Sequence, residues 1–258
     1  MNRPTTLLAP KLPATGRETL RWGRLYGCAR GLAIAEAAAG AGRLTLLVTA
    51  DSQSAYRLEQ ELRFFGEAAD LPILSFPDWE TLPYDVFSPH EDIISQRLET
   101  LHRLPSLGQG VLVVPVTTLM HRIAPRDFLS AHTLMMDVGE RLDIDALRQR
   151  LEQAGYRHVS QVMEHGEFAL RGSIVDLFPM GANHPYRIDL FDDEIESIRE
   201  FDPETQLSQE KVERIRLLPA HEFPMHDEAI KGFRQRYRQL FEGDPQASSI
   251  YREVSNGS

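Results

Sequence analysis

The stretch RLTLLVTADSQSAYRLEQELRFFGEAADLPILSF, residues 43–76, decides the first half of the fold. Its two ends, RLTLLVTA (43–50) and LPILSF (71–76), are compact apolar runs rich in β-formers, the composition of strands buried on both faces. Between them, SAYRLEQELRFFG repeats Leu58, Leu62 and Phe65 at i, i+4 and i+7, and Gly66 stands where such a helix stops. Strand, helix and strand in succession predict a parallel sheet covered by helices. Working outward, GVLVVPV (110–116) supplies a third buried strand. The segment before it, SPHEDIISQRLETLHRL, puts Ile94, Leu98 and Leu101 on one helical face, with Glu91 and Asp92 favouring the helix start.

After about residue 131 the pattern changes. TLMMDV, GEFALRGSIVDLF, YRIDLF, EIESIREFD and KVERIRLLP read as shorter strands separated by turn residues. Tyr186, Ile188 and Leu190 alternate with Arg187 and Asp189, the mark of an antiparallel sheet with one wet face. An amphipathic helix, IDALRQRLEQAGY, precedes the sheet and ends near Gly155. Beyond Pro219 the chain returns to helix, with Ile230, Phe233, Tyr237 and Phe241 on one stripe. The tail YREVSNGS shows no closing element, as expected of the beginning of a longer protein.

The 258 residues are slightly long for one domain and suggest two packed units. With 38 acidic and 28 basic side chains the net charge is -10, so no global positive field gathers nucleic-acid phosphates, and little direct DNA binding is expected. A lone cysteine, Cys28, excludes an intrachain disulfide framework and fits a reducing cytosol. The N-terminal apolar run is too short for a secretory signal, and no stretch approaches the roughly 20 apolar residues of a membrane helix. A soluble, cytoplasmic protein is the expectation.

Catalytic motifs are missing. A nucleotide-hydrolysing α/β domain needs G-x-x-x-x-G-K-[ST] after its first strand, because backbone amides cradle the phosphates and lysine bridges the terminal ones. The nearest segment, LYGCARGLAIAEAA (25–38), has Gly27 and Gly31, but Leu32 and Ala33 occupy the places of the lysine and the hydroxyl. The nine histidines include no H-E-x-x-H, and His158 and His165 lack a third ligand at metal-site spacing. FDDEIE (191–196) concentrates carboxylates without the glycine of a calcium loop and reads as a solvated turn. Ser130, Ser160, Ser173 and Cys28 have no context that activates a nucleophile. No catalytic residue, cofactor or metal is expected.

Two longer stretches carry a family resemblance. FPDWETLPYDVFSPHEDIISQRLETLHRL (76–104) contains W-E-x-L-P-Y-D-x-x-S-P, and residues 156–181 with the following YRIDLFDDEIESIREFDPETQ carry G-E-[FY]-x-x-R-G-x-[IL]-[VD]-[DV]-[IL]-[FY]-P. Together they resemble the UvrB-like module of the Mfd family of transcription-repair coupling factors, over about residues 20–250. MEHGEFALRG and LPAHEFP favour that family over UvrB, as does the lost P-loop.

The resemblance implies a degenerate helicase-like, P-loop NTPase-type α/β domain over 1–130, an inserted UvrA-binding α+β domain over 131–218, and a truncated return to the first unit over 219–258. It implies a non-catalytic module that recruits UvrA to stalled RNA polymerase in transcription-coupled nucleotide excision repair. In the family an ATP-driven DNA translocase and an RNA polymerase-interaction domain follow downstream, so polymerase is a partner only through those domains. Alternatives are an intramolecular clamp that masks the UvrA surface and restrains the translocase, and a UvrB-like ATP-dependent DNA-damage module, which the missing lysine opposes.

The family's UvrA-contacting positions match Arg171, Arg187 and Phe191. Alternation along its strand predicts an outward guanidinium for Arg187, suited to a partner carboxylate. An aromatic on a polar surface, as expected of Phe191, is a common interface centre. Arg171 precedes Gly172, where the chain can turn. The plainer alternatives are an intradomain ion pair for each arginine and a core position for Phe191. Trp79, Pro83 and Tyr84 are expected to fix their loop. Lys231, Arg234, Arg236 and Arg238 make a basic helix that serves either phosphate or the covering of apolar surface.

Overall fold

Residues 8–82 and 88–256 are described by the computed structural model, in which the chain divides into a unit of residues 1–122 and one of 123–258. Pro83 and Tyr84 lie outside the described residues.

In the first unit, helix α1 (Ala29–Ala41) precedes strand β1 (Leu44–Thr49). Helix α2 (Ser52–Gly66), strand β2 (Ile73–Ser75), helix α3 (Glu91–Arg103) and strand β3 (Gly110–Pro115) follow. The three strands form a parallel sheet in the order β1-β3-β2. Asp51 starts α2 by accepting from the Ser54 amide at 2.6 Å, a hydrogen bond that also lowers its pKa. One face of the sheet presents Val111, Val113 and Ile73 to Ala35, Ala38, Ala55 and Leu62. The other presents Leu112, Val114, Leu74 and Phe76 to Leu101 and Leu104.

The expected burial on both faces holds for β2 and β3 but not for β1, whose Leu46 and Val48 are 54% and 45% exposed. Among the described residues β1 is an edge strand with a neighbour on one side only, and of Leu44, Leu46 and Val48 on that face only Leu44 joins the cluster beneath α3. Arg97, on α3, is fully buried between the rings of Phe76 and Trp79, at 4.1 and 4.7 Å from their centroids. Trp79 also stacks on His121. It thus holds its segment against α3, in line with the expected structural role.

No strand precedes α1 among the described residues, and Gly31 lies inside that helix. A Cβ there would stand 2.5 Å from the Glu61 side chain, so this glycine permits close packing of α1 on α2. A phosphate cradle instead requires a glycine loop between strand and helix.

The second unit opens with helix α4 (Arg126–Ala131), strand β4 (Leu134–Asp137) and helix α5 (Ile144–Gln153), capped by Asp143. A six-stranded sheet follows: β5 (Arg157–His158), β6 (Glu167–Arg171), β7 (Ile174–Leu177), β8 (Tyr186–Phe191), β9 (Glu194–Phe201) and β10 (Ser208–Val212). Its order is β10-β9-β8-β7-β6-β5, antiparallel except for the parallel β5–β6 pair. KVERIRLLP does not form one strand. Val212 ends β10, and after Glu213 the chain enters β11 (Arg214–Leu217), which pairs with β4 in a separate antiparallel sheet.

Gly155 has a φ of +89°, and a Cβ there would lie 2.4 Å from the His221 ring. Burial, with the Arg157 charge as a smaller influence, holds the His221 imidazole below its ordinary pKa of 6.5. A folded-state pKa lower than the unfolded one means that the neutral ring favours folding. That contribution is complete above about pH 6.5 and fades as pH falls through the folded-state value. Thermal melts between neutral and mildly acid pH should therefore show a shallower acid decline for His221→Asn than for the unsubstituted chain; parallel curves would refute the assignment.

Helices α6 (Asp227–Leu240) and α7 (Ser249–Asn256) follow, so most of the tail, which showed no element in the sequence, is helical. Tyr251 of α7 is buried and meets the aromatic stripe of α6, 5.1 Å from the Tyr237 ring. Arg234 donates to the Ser255 carbonyl and Arg238 lies over Tyr251, so two of the basic residues cover the joint between these helices.

Candidate protein-interaction site

The alternation of β8 puts Arg187, Asp189 and Phe191 on one face, and Ile188 and Leu190 on the other. Cross-strand register extends that first face into two rows. One runs Ala169, Asp176, Arg187, Arg199; the next runs Arg171, Ile174, Asp189, Ser197. The opposite face is closed, with Phe168, Val175, Leu177, Ile188 and Ile198 all fully buried.

The candidate face is wet only in part. At one end Val162, Ala169, Phe178 and Phe201 form an apolar cluster beneath the segment that carries Val159. The other end is open: β6 and β8 run in the same direction on either side of β7, so Arg171 and Phe191, their last residues, reach the same end of the sheet. Tight connections hold both. Gly172 has a φ of +63° between β6 and β7, and Asp192 has a φ of +60° between β8 and β9.

Asp176 joins the two arginines. It is fully buried, in a strand whose neighbours Val175 and Leu177 are core residues. Its carboxylate accepts from Arg187 Nε at 2.7 Å and Nη2 at 3.0 Å, a bidentate pair, and from Arg171 Nη2. Arg187 Nη1 donates to the Gln206 carbonyl and the Ser208 hydroxyl, at 3.2 and 3.3 Å, and its guanidinium lies 5.0 Å from the Phe201 ring centroid. The hydrogen bonds that Arg187 donates to Asp176 raise its pKa, so it stays a cation.

One of the sequence expectations needs correction. Arg187 does not stand free on a wet face: its side chain is only 18% exposed, because Asp176 below and the 202–207 turn beside it use most of its donors. Phe191 is 75% exposed, as expected of an aromatic on a polar surface, and the alternative core position falls away. Arg171 forms the intradomain ion pair but keeps 48% of its side chain exposed, and among the described residues its Nε and Nη1 meet no acceptor. Sequence reasoning missed Asp176. Its signal was available: a carboxylate inside the apolar run SIVDLF is expensive to bury unless cations meet it. The FDDEIE turn carries an Arg141–Asp193 ion pair at 3.7 Å, and no metal-ligand cluster occurs among the described residues.

Residues 134–223, which contain this whole face, match the UvrB interaction domain family. The chain is 51% identical to the transcription-repair-coupling factor of Escherichia coli over 96% of its own length and 21% of that protein's. Over nearly its whole length the chain is therefore similar to one region of transcription-repair-coupling factors. The Haemophilus influenzae factor is 44% identical over 98% of the chain and 22% of its own length, and a Staphylococcus aureus factor is 34% identical over 81% and 18%. The chain thus spans about a fifth of the length of the curated relatives it matches. The first unit holds the parallel sheet and the second the antiparallel ones, a mixed α/β architecture. No helix among the described residues is long and apolar enough to cross a membrane.

Proposed function

We propose that this chain is a non-catalytic adaptor of the bacterial cytoplasm that recruits UvrA in transcription-coupled nucleotide excision repair, through the open end of the six-stranded sheet. The observation that carries the reading is Phe191, a large aromatic side chain 75% exposed at the tight β8–β9 turn, at the same end of the sheet as Arg171 and within the residues that match the UvrB interaction domain. An exposed aromatic and a half-exposed guanidinium at one end of a sheet are the composition of an interface hot spot. In this reading residues 131–218 are the UvrA-binding domain, inserted between a degenerate helicase-like domain over 1–130 and its continuation over 219–258. The ATP-driven translocase and the contact with RNA polymerase belong to other parts of a full-length coupling factor.

Phe191→Ala tests this directly, because so exposed a side chain contributes little to folding. In calorimetric titration with purified UvrA, the unsubstituted chain should bind without nucleotide. The variant, folded by circular dichroism, should bind more weakly by about 2 kcal/mol, roughly thirty-fold. Equal affinity would remove Phe191 from the interface, and no binding by the unsubstituted chain would overturn the adaptor reading.

A further inference from the structure

The row through Asp176 and Arg187 continues beyond Arg187 toward the sheet edge. Arg187 pairs across the sheet with Arg199 of β9, and Arg199 pairs with Lys211 of β10, the edge strand. Directly paired residues project from the same face, so three cations stand side by side. Like charges placed directly opposite one another are destabilising, and a sheet normally separates or neutralises them. Arg187 is neutralised by buried Asp176, whereas Arg199 and Lys211 make no ion pair or side-chain hydrogen bond among the described residues. The neighbouring row adds Arg171 and Asp189, and with Glu194 paired to Phe191 at the open end the paired residues of this face hold four cations against three carboxylates. This surplus occurs in a chain of net charge -10.

We infer that the interaction face extends along this row from Arg171 and Phe191 to Arg199 and Lys211, and that a protein partner meets it with a cluster of carboxylates. The inference rests on the adaptor reading and names the chemistry of the partner's surface. A protein partner fits better than nucleic acid for two reasons. The overall negative charge repels a long polyanion but not a discrete acidic patch. The exposed Phe191 on the same face also offers the apolar centre that a protein interface uses, with the cations as its polar rim.

Rim charges act mainly on association rate and salt dependence. The test is therefore binding of the full chain to purified UvrA at low and at high salt, with Arg199→Ala/Lys211→Ala and Lys211→Glu as variants and Phe191→Ala as reference. Both substituted side chains are at least partly exposed, and circular dichroism verifies folding. The double variant should bind about five- to tenfold more weakly at low salt, with most of the loss in association rate and little at high salt. Lys211→Glu should show the same trend. Unchanged affinity and salt dependence in a double variant, while Phe191→Ala still weakens binding, would overturn the extended row and leave the adaptor reading intact. Absence of binding by the unsubstituted chain would overturn both. A labelled DNA duplex that binds the unsubstituted chain and is lost on the double substitution would overturn the acidic protein surface in favour of phosphate.

Discussion

Asp176→Ala is expected to destabilise the second unit by about 3 kcal/mol, the low end of what removal of one partner from a buried ion pair costs. The loss follows from what stays behind. Arg187 is 18% exposed and carries a permanent charge, and without Asp176 its Nε and Nη2 have no acceptor in the strand below. Arg171 is freer to turn to solvent and contributes less. Urea denaturation followed by far-UV circular dichroism measures the change, and a loss below about 1 kcal/mol would show that solvent replaces the carboxylate. A second variant separates charge from shape. Asp176→Ala/Arg187→Met leaves no uncompensated cation and should recover much of the stability, since apolar replacement of a buried pair is often neutral or favourable. UvrA binding should not recover with it, because in the proposed site the arginines touch the partner as well as holding the fold.

Phe201→Ala should cost about 3–5 kcal/mol, the range for emptying a fully buried aromatic site. Phe201 sits on the same sheet face as Phe191, but at the end closed by Val162, Ala169 and Phe178, and it supports the guanidinium of Arg187. The same substitution at Phe191 should change stability by less than about 0.5 kcal/mol, as expected for an exposed position. Denaturation curves and UvrA titrations on the two variants should therefore show opposite patterns. Phe201→Ala should loosen the fold while the Phe191 ring stays in place for UvrA, and Phe191→Ala should leave the fold stable but weaken UvrA binding. A large stability loss for Phe191→Ala would place that ring in a packing role.

Much of this architecture was legible in the residues, for identifiable reasons. Leu58, Leu62 and Phe65 repeat at helical spacing because one face of α2 packs on the sheet, and the strands of the first unit show as apolar runs because α/β sheets are covered. What escaped was set by neighbours distant in sequence. The exposure of Leu46 and Val48 depends on β1 lying at the sheet edge, which local composition does not encode. The splitting of KVERIRLLP depends on β4, some 80 residues earlier, capturing its second half. At the candidate face, alternation found the correct side for Arg187 and Phe191 but gave no depth. Depth came from Asp176, one strand away, and from the turn that carries Gln206. The family resemblance pointed to the arginines, and only the register revealed the carboxylate between them and the cations beyond them.

The passage from β10 to β11 through the single residue Glu213 also bears on how such a sequence can vary in length. Side chains along a strand alternate, so one residue inserted at this joint would turn Ile215 and Leu217, now 3% and 1% exposed, toward water and bring Arg214 and Arg216 inward. Gly172, by contrast, has open space around it at its hairpin tip, where an added residue lengthens a loop without shifting any pairing. Insertions and deletions among descendants of this sequence should accordingly gather at the hairpin tips, the end that carries Arg171 and Phe191, while the joint at Glu213 keeps its length. The part of the sheet best placed to meet a partner is thus also the part freest to be remodelled for one.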